Sequence, residues 1–258
     1  MTIFKRVLSC LMALASLTGT AAEPLPDGMV AINRAGELRM LSQRIVRIHA
    51  QIGMDVQPRV DRRLLADSVR RLDSNLRWLQ AFPATDAARL GELQGHARAL
   101  ISAIDAAPDL SKVMALNVFA DALLADAERL TNELQASVGR EAGRRVNLAG
   151  RLRMLSQRRV KAYMLRAWGD PSPDLEQVMQ AATNDFNSAL SELQKYGGNS
   201  ADISAELDEL ALQWEWLGAA IATEGTGTYR LIVAESCEAI LAAADHLVTL
   251  YQRLESTK

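Results

Sequence analysis

The chain has 258 residues, a formal net charge of −2, two cysteines and an aromatic content of 5%. This mildly acidic balance argues against nucleic-acid binding, which needs clustered positive charge, and the length suits two small domains. Leu, Ala, Arg, Glu and Gln dominate and no useful strand-like alternation appears, so the chain reads as all-α.

Residues 1–22 read as a secretory signal. Lys5 and Arg6 form the basic start, Val7 to Leu17 the apolar run, and Thr20-Ala21-Ala22 suits cleavage before Glu23. Cys10 lies inside the apolar run rather than after it, so lipidation is not expected. Cleavage removes Lys5 and Arg6, leaving 27 basic against 31 acidic residues and a soluble chain expected in the periplasm. No later stretch approaches the roughly 18 apolar residues of a membrane span. Only Cys237 then remains, which excludes an intrachain disulfide, and its neighbours Glu235, Ser236 and Glu238 do not favour a thiolate.

Helix signals then alternate with breakers. Asp27-Gly28 opens a helix to about Ile52, broken by Gly53, Asp55 and Pro58. A second runs from Arg59 to about Phe82 and stops at Pro83. A third starts at Thr85 and Asp86 and ends before Pro108, and a fourth runs from Asp109 to about Val138. After Gly139 and Gly143 the plan repeats: a helix to Gly169-Asp170-Pro171, then helices at 173–196, 200–223 and 227–256. The expectation is two tandem antiparallel four-helix bundles, 27–138 and 144–257, set side by side as a single-chain pseudo-dimer. A second layout keeps 109–169 as one long helix and stacks the bundles end to end.

One stretch occurs twice. Residues 33–46 read NRAGELRMLSQRIV and residues 147–160 read NLAGRLRMLSQRRV, identical at 11 of 14 positions with an offset of 114. At about 100° per residue, Gly36, Arg39 and Gln43 share one narrow face, and Leu38, Leu41, Ile45 and Ile48 lie opposite. Gly150, Arg153 and Gln157 repeat the polar face, while Arg159 replaces Ile45 and must snorkel or pair. A glycine inside a helix costs up to about 1 kcal/mol against alanine, and close approach by a backbone or ligand is a reason to keep it. Arginine on the same face offers a donor fork suited to planar oxyanions. Paired through these faces, Arg39 and Arg153 at about 7 Å would repel by roughly 2 kcal/mol at an effective dielectric of 20, and an anion between them would reverse that. Within the box, Glu37 lies about 160° from Arg39 and is no partner, which favours an external anion.

The box resembles the periplasmic sensor domains of nitrate/nitrite sensor kinases, and more closely the PilJ-type N-terminal domain of type IV pilus chemotaxis transducers, through Arg-Met-Leu-Ser-Gln-Arg. The nitrate-sensor resemblance implies a dimer-like helix pair in which Arg39 and Arg153 grip the anion and Gly36 and Gly150 approach it by backbone. Two departures weigh against nitrate itself: Leu148 stands where the first copy has Arg34, and Ser42-Gln43 and Ser156-Gln157 follow the pilus-transducer pattern.

Other constellations carry little. His49, His96 and His246 are scattered and read as surface or bundle-edge residues, and no Glu-x-x-His pair, CxxC or catalytic set occurs. Arg62-Arg63 and Arg70-Arg71 read as a solvated face, Met40 and Met154 as packing, and Trp214 and Trp216 cannot both face inward. The function expected is a non-enzymatic periplasmic sensory module without cofactor or metal. It holds a small oxyanion, nitrate or a relative, between the box helices through Arg39, Arg153, Gly36, Gly150, Gln43 and Gln157. It signals through a membrane sensor or pilus-associated protein. The alternative is a structural or interaction protein of the pilus or chemotaxis machinery, with the boxes as packing surfaces.

Overall fold

The computed structural model describes residues 27–83, 85–104, 107–138, 141–223 and 227–256. The expected signal at 1–22, with Cys10, lies outside them. The helices are α1 (Asp27–Gly53), α2 (Pro58–Ala81), α3 (Ala87–Ile104), α4 (Leu110–Val138), α5 (Glu141–Trp168), α6 (Leu175–Gln194), α7 (Ala201–Ala222) and α8 (Gly227–Ser256). There is no strand among the described residues.

Local chemistry sets the ends. Pro58, read as a breaker, is also the start of α2, because proline is tolerated in the first helical turn. Phe82 is extended ahead of Pro83, as the residue before proline prefers. The Ser200 hydroxyl caps α7 by accepting from the Ile203 N–H at 3.3 Å. Gly169, at φ +102°, ends α5 in a Schellman arrangement, with Gly169 N–H on Arg166 O and Asp170 N–H on Leu165 O.

In each half, four helices close an antiparallel bundle, α1–α4 and α5–α8. The two bundles stand side by side. α1 and α5 run parallel and in register, with Ile32 beside Gly143, Gly36 beside Arg153 and Gly53 against Trp168. α4 folds back antiparallel to both, since Glu128 meets Arg39, Gln135 meets Asn147 and Asp121 meets Lys161. That reversal rules out one long helix over 109–169.

The bundles do not keep separate cores. One apolar cluster runs through Leu38, Leu41, Leu123, Leu152, Phe186 and Leu247, because the α1–α5 seam is itself packed. Consequently the polar face of each box is buried as deeply as its apolar face: Arg39, Ser42, Gln43 and Arg47 have no exposed surface. Met40 and Met154 are buried in that packing. Trp214 points in at 5% exposure and Trp216 out at 68%.

Candidate functional site

The centre of the seam is a reciprocal clasp. Arg39 Nη2 donates to Asn147 Oδ1 at 2.7 Å, and Arg153 Nη2 donates to Asn33 Oδ1 at 2.8 Å. Each arginine therefore grips the first residue of the other box. Glycine makes room for this. A Cβ on Gly36 would lie 3.1 Å from Arg39 Nη2 and 3.8 Å from Arg153 Nη2, and one on Gly150 would lie 3.1 Å from Arg153 Nη2 and 3.7 Å from Arg39 Nη2.

The expectation that the box arginines lack acidic partners is overturned. Arg39 Nη1 donates to Glu128 of α4 at 2.6 Å, and Arg153 Nη1 donates to Asp245 of α8 at 2.6 Å. The helical wheel surveyed one helix, whereas the carboxylates come from the neighbouring helix of each bundle. Burial and the facing Arg153 lower the Arg39 pKa, and Glu128 offsets part of that. Burial alone would raise the Glu128 carboxyl, but Arg39 holds it below the usual carboxylate value. The Nε atoms of both arginines are buried without a hydrogen-bond partner among the described residues.

Gln43 and Gln157 lie one turn further along and hydrogen-bond neither arginine. Gln43 donates to Asp121 at 3.3 Å, while Gln157 accepts from Arg47 Nε at 2.9 Å and donates to Cys237 Sγ at 3.2 Å. A second charged layer surrounds them. Arg44 and Arg47 both hold Glu238, the former at 2.6 Å, and Lys161 holds Asp121 at 2.9 Å. Burial would raise Glu238, but the two arginines keep it low, whereas burial lowers Lys161 despite Asp121. Burial pushes the Cys237 thiol up to about 11, which keeps it protonated.

Two further readings need correction. His49 is buried, at 5% exposure, edge-on to Trp168. His96 and His246 do sit at bundle edges, on Asp126 and Glu206. Arg71 is not simply solvated: it pairs with Glu37 at 2.5 Å and with Asp245 at 3.5 Å, joining the two halves.

Glu128, Asp245, Asp121 and Glu238 were missed at the sequence level, although a signal was present. Glu128 to Asp245 and Asp121 to Glu238 share one offset of 117, a second repeat carried by acidic residues on α4 and α8. Beside Glu128 a cleft of about 370 Å³ opens, lined by Asp121, Glu128, Arg151, Met154, Arg158 and Asp185.

These features define a tandem, pseudo-symmetric helical-bundle module centred on one paired-arginine clasp. The chain belongs to the type IV pili methyl-accepting chemotaxis transducer N-terminal family, which matches residues 28–136 and again 134–235. No curated protein and no solved structure matches the chain. Among the described residues, no helix is long and apolar enough to cross a membrane.

Proposed function

We propose that this sensory-family chain takes a small oxyanion, nitrate or a relative, at the Arg39–Arg153 pair, in the periplasm after signal cleavage. It passes the event to a membrane sensor or pilus-associated partner. The observation that supports this is the pair of buried guanidinium groups, each with an Nε that has no partner among the described residues, meeting beside Gly36 and Gly150. Buried donors without acceptors are costly, so a ligand that satisfies them gains more than a surface contact would. Gly36 and Gly150 offer backbone approach, and Gln43 and Gln157 bound the site one turn on.

The anion has competitors. Glu128 and Asp245 already neutralise the arginines, so binding is an exchange in which an oxyanion displaces a carboxylate. The cleft beside Glu128 supplies a route, and Arg158 on its wall has no ion pair among the described residues. Releasing Glu128 or Asp245 would remove a charged tie between α4 and α1 or between α8 and α5, which is a means of passing a signal along a helix.

A second reading rests on a specific observation: both arginines already have a carboxylate and an amide of the chain itself. On that reading the boxes weld the halves and the module docks pilus or chemotaxis machinery. A thermal-shift series with nitrate, nitrite, sulfate and acetate decides between them. It is run on the parent and on a Glu128→Gln, Asp245→Asn double variant. Ligand binding predicts a midpoint rise for at least one anion above an ionic-strength control. No rise in either protein leaves the weld.

A further inference from the structure

The second box carries Arg159 where the first carries Ile45, a fully buried core residue. Arg159 is partly exposed, and it has no ion pair among the described residues. Its guanidinium lies over the Trp214 ring, 4.5 Å from the centroid. Trp214 is a fixed shelf: Phe186 stacks on it at 3.7 Å and Asn187 accepts its Nε1–H at 2.9 Å. On α7, Gly218 leaves room, since a Cβ there would lie 3.5 Å from Arg159 Nη2.

No carboxylate answers the charge among the described residues. Glu176, which lines the same cleft, is held by Arg166 at 2.5 Å. Burial lowers the Arg159 pKa with no opposing charge to offset it. A partly buried cation without a counter-charge is costly, and the ring quadrupole returns only part of that cost. The guanidinium lines a cleft of about 230 Å³ whose lining also includes the polar Arg166 and Thr183 and the apolar Met179, Ile221 and Ala222.

We propose that this cleft between α5, α6 and α7 is a second ligand site, independent of the Arg39–Arg153 pair, for a short aliphatic carboxylate. The carboxylate sits on the Arg159 fork, the geometry a guanidinium favours, and the hydrocarbon tail lies against Met179, Ile221 and Ala222. The mixed lining selects an amphipathic anion over an inorganic one, and the small volume restricts it to a few carbons, since drug-sized ligands need about 300–1,000 Å³. In the first bundle the equivalent place is taken by Ile45, which is fully buried.

The test titrates sodium butyrate into the full chain at constant ionic strength, read by calorimetry and by tryptophan emission, with butylamine as the cationic control. Arg159→Ile restores the residue that the first bundle packs. Gly218→Val fills the cleft and keeps the charge. Circular dichroism confirms that both are folded. The proposal expects saturable butyrate binding in the parent, no butylamine binding, and binding at least tenfold weaker in both variants. Absence of saturable butyrate binding in the parent, or parent-like affinity in either variant, overturns it.

Discussion

Arg39 of the first box donates to the side chain of Asn147 in the second at 2.7 Å, and this bond crosses from one bundle to the other. Its mirror joins Arg153 to Asn33 at 2.8 Å. The two asparagines are not equally committed. Asn147 also donates to Gln135 at 2.6 Å, whereas Asn33 donates to Gln252 at the longer distance of 3.3 Å. Leaving a buried charged donor unsatisfied costs about 1–3 kcal/mol. Asn147→Ala is therefore expected to destabilise by about 2–3 kcal/mol and Asn33→Ala by less, measured by urea unfolding with unchanged m-value. Equal costs, or none, would contradict the clasp.

Arg39 has no exposed surface, so its removal is not neutral for the fold. Breaking a buried ion pair costs about 3–5 kcal/mol, and the one-third exposure of Glu128 reduces this through solvent screening. Arg39→Ala should cost about 2–4 kcal/mol and Glu128→Ala clearly less. A double-mutant cycle should return a coupling of at least about 1 kcal/mol. Simple additivity would show that the 2.6 Å contact carries no energy.

The exchange mechanism predicts a gain from losing a carboxylate. Glu128→Gln keeps an acceptor near Arg39 but removes the competing charge. Any oxyanion bound by the parent should bind this variant at least fivefold more tightly in calorimetry. At a hundredfold excess over Kd, binding adds about 2.7 kcal/mol of stability. Weaker binding in Glu128→Gln would mean that the carboxylate helps to hold the ligand instead of competing with it.

Asp61 should give a pH signature of opposite sign to its neighbours. Burial raises its pKa to about 6, the Gln57 backbone N–H and Arg47 oppose that, and Glu238 adds to it. One carboxylate oxygen is buried without a partner among the described residues. The folded state thus binds the proton more tightly than the unfolded one, so stability rises as pH falls from about 7 through 6 toward the unfolded value. Glu238 and Glu128 lie below their ordinary values, so their contribution is lost only at more acidic pH, below about 4.3. Denaturation at pH 7.5 and pH 5 should therefore show the parent gaining on Asp61→Asn at the lower pH. A constant difference between the two proteins would exclude a raised Asp61.

Glycines separate site from scaffold. A Cβ on Gly91 of α3 meets nothing within 4 Å, so Gly91→Ala should stabilise by up to about 1 kcal/mol through helix propensity. On Gly36 the same methyl would press at 3.1 Å on an Arg39 Nη2 already pinned by Asn147, and Gly36→Ala should be neutral or destabilising. Thermal midpoints of the two variants give the comparison directly. A stabilising Gly36→Ala would mean that the clasp has slack.

Helix type, the duplicated plan and most helix ends were legible in the sequence because they are set by neighbouring residues. Proline, glycine and the apolar period act within a few positions, and a repeat such as Gly36-x-x-Arg39 against Gly150-x-x-Arg153 is visible without any structure. What the arginines touch was decided only by tertiary packing. Glu128 lies 89 residues from Arg39 and Asp245 lies 92 from Arg153, and their meeting depends on how α4 and α8 are rotated and registered against α1 and α5. The same holds for burial. A helix wheel assigns one buried stripe, but α1 and α5 are enclosed by their own bundles and by each other, so their polar stripes are core as well. Arg159 shows the boundary between the two kinds of information. Its identity broke the apolar pattern in the sequence, whereas the ring beneath it, the glycine beside it and the lack of a carboxylate partner among the described residues depend on how α5, α6 and α7 pack.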